Sequence, residues 1–125
     1  MTADKVVDAS ALAALTFNEP GGRDVEIRLQ GATLYAPPLI DIEMASVCLK
    51  KIRERRYPKD VIFQWYLGYP NMGITTIEII SAEAITLAER FKLSFYDASY
   101  LWLAHHLDAE LVTLDGELEK AAKKI

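Results

Sequence analysis

Short runs of β-type residues alternate along this chain with longer stretches of helical periodicity, and that alternation restricts the fold more than any other feature. Lys5 to Val7 reads as a strand, followed by a helix from Ala9. Arg23 to Gln30 reads as a helix closed by Gly31, and Thr33 to Ala36 as a second strand. Pro37 and Pro38 open a long helix to about Arg56, because proline is tolerated in a helix's first turn. Pro58 starts another helix, which Gly68 and Pro70 end. Ile74 to Thr76 reads as a third strand and Ser81 to Phe91 as a helix. The stretch LSFYDASYLWLAHH, Leu93 to His106, is a helix with little polar surface to show to water. A strand at Glu110 to Thr113 and a helix from about Gly116 complete the pattern. Strands separated by helices imply right-handed crossovers and a mainly parallel sheet. The expected fold class is therefore α/β, a three-layer α/β/α sandwich.

With 51% hydrophobic and 26% charged residues, the 125 residues read as one globular domain spanning 1–125, without an internal repeat or dividing linker. The single cysteine, Cys48, has no disulfide partner and lies in the apolar run MASVCL, so a buried free thiol is expected. The N-terminus lacks the basic-then-apolar order of a signal peptide, and no apolar run approaches membrane-spanning length. A cytoplasmic protein with no membrane role is the expectation. A net charge of −4 argues against gripping nucleic acid by bulk charge. Any such role must be local.

Ligands of open parallel sheets bind beyond the carboxyl ends of the strands. Asp8 follows the strand KVV and Asp115 follows ELVTL, so both project at that edge. Taken singly, each acid has a structural explanation. Asp8 and Asp115 suit helix capping. Asp97 suits a first helical turn, where the macrodipole favours negative charge. Glu43 sits opposite a stripe of Ala45, Cys48, Leu49 and Ile52 and suits a solvated face. Together the acids say more. Asp97 heads a helix that looks buried on most sides, and a buried carboxylate needs a partner or a cation. Converging carboxylates repel one another and raise their own pKa values unless a divalent cation joins them. Mg²⁺ or Mn²⁺ fits an oxygen-only site, and no His or Cys cluster suited to zinc is present. His105 and His106 fall at a helix end and read as structural.

Four segments carry a resemblance: VVDASAL, APPLIDIEMASVCLK, LSFYDASYLWLA and LVTLDGEL. In that order and spacing they resemble the PIN-domain family, most closely its VapC-type toxin ribonucleases, over essentially the whole length. The resemblance implies one PIN-like domain and maps the family's acids onto Asp8, Glu43, Asp97 and Asp115. It implies a Mg²⁺- or Mn²⁺-dependent endoribonuclease that hydrolyses RNA phosphodiesters, with one or two ions activating water, polarising phosphate and stabilising the leaving oxygen. Asp8 and Asp97 are the expected direct metal ligands. Asp115 is a further metal residue, and Glu43 acts through water or orients the nucleophile. Ser10 and Thr113 are expected to hydrogen-bond behind them. The resemblance also implies a homodimer and a VapB-like protein antitoxin. Two positions need separate reading. Ser46 stands where the family commonly has Asn, and Asp41 is a second acid near Glu43, placed by helical angle on the core side.

The run KKIRERR places Lys50, Arg53, Arg55 and Arg56 on the last turns of the helix carrying Glu43, where they suit RNA phosphates as well as a solvated face. VIFQWYLGYP, Val61 to Pro70, is apolar nearly all round, so either the core or a partner covers it. A non-cleaving PIN-like module binding RNA or protein, and a non-toxin PIN nuclease of RNA processing, are the alternatives. A phosphotransfer receiver is disfavoured because VVDAS carries one acid and Asp115 stands where that class has a lysine. A haloacid-type phosphatase is disfavoured because Ser10, not Asp, stands two residues after Asp8.

Overall fold

A computed structural model describes residues 2–125. Its strands are β1 (Asp4–Val7), β2 (Thr33–Ala36), β3 (Thr75–Thr76) and β4 (Glu110–Val112). Its helices are α1 (Ala9–Thr16), α2 (Gly22–Leu29), α3 (Leu39–Glu54), α4 (Lys59–Tyr66), α5 (Ser81–Phe91), α6 (Phe95–Leu107) and α7 (Gly116–Lys124), with a short 3-10 helix at Tyr69–Met72. The strands form one sheet in the order β3-β2-β1-β4, and every pairing is parallel.

Consecutive strand residues point to opposite faces of a sheet. Val6, Val7 and Val112 are fully buried, and Leu111 is buried. Both faces of β1 and β4 are therefore covered, which makes the expected three-layer α/β/α sandwich. Helix α6 packs against β1, β4, α5 and α7. That enclosure explains its unbroken buried run from Ala98 to Ala104. On α2, a Cβ at Gly22 would lie 2.4 Å from the carbonyl oxygen of Ala14, so glycine permits the close approach of α2 to α1.

Several expectations need correction. The long helix stops at Glu54, because Arg55 turns left-handed (φ 56°) and caps it. Its core stripe is Ile40, Met44 and Cys48, with Ala45 and Leu49 exposed. Glu43 thus flanks the buried stripe rather than opposing it. The third strand keeps only Thr75 and Thr76, and the fourth ends at Val112. The apolar stretch from Val61 buries only Ile62 and Tyr69, while Phe63 and Leu67 stay about half exposed. Helix α4 packs on α3 alone among its principal contacts, so one side has no covering layer. Cys48 is buried as a free thiol, and burial raises its pKa.

Candidate active site

The strand order reverses direction at β1, with β2 on one side and β4 on the other. Such a switch point opens a crevice beyond the carboxyl ends of the two strands. Val7 pairs with Val112, and the backbone N–H of Asp8 donates to the Val112 carbonyl at 3.2 Å. This register sets Asp8 beside Thr113, so the two strand ends meet through side chains.

Asp8 is the N-cap of α1 and is 3% exposed. Its Oδ1 accepts from the Ala11 N–H at 3.0 Å and from the Ser10 hydroxyl at 2.8 Å. Its Oδ2 accepts from the Thr113 hydroxyl at 2.5 Å. Thr113 Oγ1 in turn accepts from the Asp115 N–H at 3.0 Å, and Ser10 Oγ accepts from the Leu114 N–H at 3.0 Å. Ser10 and Thr113 thus both donate to the Asp8 carboxylate. Burial nevertheless raises the Asp8 pKa. The bonds from Thr113, Ala11 and Ser10 oppose that rise, and the charge of Asp115 adds to it.

Asp115 is the N-cap of α7, and its Oδ1 accepts from the Glu117 and Leu118 N–H groups at 2.9 and 3.1 Å. Asp97 is the third residue of α6. Its N–H donates to the Ser94 hydroxyl at 3.1 Å, the geometry of a capping-box position. Asp97 is half-buried, less enclosed than its apolar surroundings in the sequence suggest. Its pKa is raised by burial, then by the charges of Asp115 and Asp8, while a hydrogen bond with Ser94 opposes the rise. Glu43 accepts at Oε1 from the Tyr100 hydroxyl at 2.6 Å. Burial raises its pKa, the Tyr100 bond opposes this, and the charges of Asp8 and Asp97 add to the rise.

Asp8 and Asp97 thus feel the charge of Asp115, and Glu43 feels those of Asp8 and Asp97, so acids from four separate places in the chain are linked into one cluster. No Lys, Arg or His pairs with any of them among the described residues. Nor do three His, Cys, Asp or Glu groups among those residues already stand as a ready-made cation site. A magnesium-like ion does not require one, since Mg²⁺ is held by one or two carboxylates and keeps several waters. The donor set is oxygen only; burial raises the pKa values of Asp8, Glu43 and Asp97, the neighbouring carboxylates add to the rise, and a divalent cation would offset both effects. The residues fit such an ion.

Sequence reasoning missed Tyr100. It is fully buried on α6, three residues beyond Asp97 and so on the same helix face. One face of α6 thus supplies a carboxylate and also grips Glu43. The signal available was the D-x-x-Y spacing inside a buried helix, where a phenol needs a partner. Burial and the Glu43 carboxylate push the Tyr100 pKa far up, so it remains a donor. Asp41 is bound in a similar way, accepting from the Tyr69 hydroxyl at 2.5 Å. Its residue is exposed, which corrects the core-side placement and leaves Glu43 as the helix acid of the cluster.

The basic run is divided. Lys50 and Arg53 lie on α3, Arg55 caps it and Arg56 lies beyond its end, all exposed. His106 stacks on Trp102 at 4.6 Å, and His105 lines a cavity of about 520 Å³ with Arg28, Glu110 and Lys123 at the opposite end of the strands. That cavity contains none of the four acids.

The family model of the PIN domain matches residues 5–124. VapC ribonuclease Mb0985 of Mycobacterium bovis is 30% identical over 113 residues, covering 90% of this chain and 87% of that protein. Ribonuclease VapC12 of Mycobacterium tuberculosis is 28% identical over 120 residues, covering 93% and 90%. Among solved structures, the crystal structure of PAE2754 from Pyrobaculum aerophilum superposes with a TM-score of 0.78 at 28% identity, covering 97% of this chain and 81% of that one. By sequence and by fold, with its four acids gathered at the switch point of the sheet, this chain belongs to the PIN-domain family.

Proposed function

We propose that the chain is a divalent-metal-dependent endoribonuclease and the toxin of a toxin–antitoxin pair. One observation carries this reading: four carboxylates gather beside the ends of β1 and β4, and among the described residues no cationic side chain pairs with them. The names of the relatives, VapC ribonucleases, support the reaction class.

Mg²⁺ or Mn²⁺, when bound, would lower the pKa of water, polarise a phosphate and stabilise the leaving oxygen. Asp8, Asp97 and Asp115 are the residues to hold it, with Glu43 acting through water. Asp8 retains acceptor capacity at Oδ2, and Asp115 Oδ2 accepts no hydrogen bond among the described residues. Thr113 and Ser10 fix the Asp8 carboxylate, so little ordering remains for the moment of reaction. Tyr100 fixes Glu43 by Oε1 and leaves Oε2 to orient the attacking water and accept its proton. The raised Glu43 pKa favours that transfer. Lys50, Arg53, Arg55 and Arg56 offer phosphates the positive charge that the centre lacks.

Exposed Ile42 and Leu49 on α3, with Phe63 and Leu67 on α4, support protein partners: a second copy of the chain and an antitoxin segment. Among the described residues, no helix is long and apolar enough to cross a membrane. Titration with Mn²⁺ tests the site directly. The wild type is expected to bind the ion and gain thermal stability, and Asp8→Asn to lose both. Equal binding by the variant would remove Asp8 from the site. Expression without an antitoxin is expected to arrest growth, and Asp8→Asn to relieve the arrest.

A further inference from the structure

We propose that a single-stranded RNA substrate leaves the acidic centre along a cleft between α1 and α3 and stacks a base on Tyr57 at its far end. This inference rests on the nuclease reading above. Two cavities, of about 450 and about 150 Å³, make the cleft. The first starts at Ser10 and Leu114, where the Ser10 hydroxyl reaches Asp8, and passes Val47 and Lys50. The second ends on Arg56, Tyr57 and Trp65. Glu19, Pro20, Lys51 and Glu54 line both, so the two cavities adjoin. Along this path α3 rises about 17 Å between Glu43 and Glu54, at 1.5 Å per residue, enough for a few nucleotides.

The chemistry of the cleft changes along its length. Lys51 is taken by Glu19 at 3.0 Å, whereas Lys50 is exposed and enters no ion pair among the described residues. Lys50 is therefore the cation open to a phosphate midway. At the far end, Tyr57 is 46% exposed. Trp65 braces it edge-on, with ring centroids 5.2 Å apart at 70°, and the Arg56 guanidinium lies 5.8 Å from its centroid. Arg55 and Lys59 line its other side with Arg56. A braced aromatic ring surrounded by cations suits a base attached to a phosphate backbone better than it suits a peptide.

The test uses Asp97→Asn protein, which leaves RNA uncut, and a short mixed-sequence single-stranded RNA followed by anisotropy and by quenching of tryptophan fluorescence. Adding Tyr57→Leu is expected to weaken binding about tenfold and Tyr57→Phe to restore it. Adding Lys50→Gln is expected to reduce the salt slope by about 0.7, the value for one phosphate on a single strand. Arg23→Gln, on the exposed side of α2, is expected to change neither. In otherwise wild-type protein, Tyr57→Leu is expected to raise KM for RNA with little change in kcat. Metal-dependent cleavage combined with binding indifferent to Tyr57 and Lys50 overturns the path while the nuclease reading stands. Loss of a copurifying protein rather than of RNA on Tyr57→Leu also overturns it, assigning the cleft to a peptide. Absence of both RNA binding and metal-dependent cleavage removes the nuclease reading, and the path with it.

Discussion

Thr113→Val isolates the hydrogen bond on which the geometry of Asp8 depends. Valine has nearly the shape of threonine, so no cavity forms, and the change removes the hydroxyl alone. That hydroxyl donates to a buried carboxylate and accepts from the Asp115 N–H. A hydrogen bond to a charged group contributes about 1.5–3 kcal/mol and a neutral one about 1. Together they predict a loss of about 3 kcal/mol at neutral pH. With an unfolding entropy of about 2.1 cal/mol/K per residue, that loss lowers Tm by about 11 °C for a chain of this length. The penalty depends on pH. Burial holds the folded pKa of Asp8 above its unfolded value, and the Thr113 bond works against that rise. Removing the bond raises the folded pKa further, so the variant's deficit is largest where Asp8 is ionised. It shrinks as pH falls toward the ordinary carboxylate value of about 4, because the raised folded pKa lets the folded state take up the proton first. Thermal unfolding in EDTA at both pH values, with Thr113→Ser as a control that retains the hydroxyl, measures this. A Tm loss under about 3 °C, or one equal at both pH values, would refute the argument.

Three further outcomes follow from the same contacts. Tyr100→Phe removes the donor to Glu43 and is expected to cost about 1–3 kcal/mol, with a larger proportional loss in kcat than in RNA affinity. Denaturant unfolding and single-turnover cleavage measure the two effects. Gly22→Ala places a methyl group against the Ala14 carbonyl and is expected to destabilise by about 1–3 kcal/mol through separation of α1 and α2, read from the denaturation midpoint. Asp97→Asn is expected to leave the metal-free fold at least as stable as wild type at neutral pH. The folded Asp97 pKa is raised, so the folded state binds more protons and wild-type stability falls as pH rises from the unfolded pKa through the folded one. Below that window the advantage should vanish, and Mg²⁺ should raise the Tm of the wild type more than that of the variant.

Most of the architecture is legible in local sequence. Thr33–Ala36 and Ser81–Phe91 begin and end where β-type residues and helical periodicity do, because Gly31, the Pro37-Pro38 pair and Lys92 bound them. Asp8 and Asp115 are legible because helix caps follow β1 and β4 closely, whereas Glu43 and Asp97 stand out as a set with them only through the family resemblance. What escapes is the partner across space. Helical angle places Glu43 within α3 but does not reveal that α6 presents Tyr100 to it, since that depends on how the two helices pack to bring together residues 57 apart in sequence. The core stripe of α3 differs from expectation for a related reason. Helix α4 lies along one side only, so Leu49 remains at the surface while Met44 is enclosed. The apolar run of α4 is exposed because chain-internal packing ends there, which composition by itself does not distinguish from burial.

The most direct test of the central claim is cleavage of RNA by purified protein freed of any partner, with Mg²⁺, Mn²⁺ or EDTA, beside Asp97→Asn. The account predicts cleavage with either metal, none in EDTA, and none by the folded variant. Cleavage that persists in EDTA, or full activity in Asp97→Asn, would contradict it.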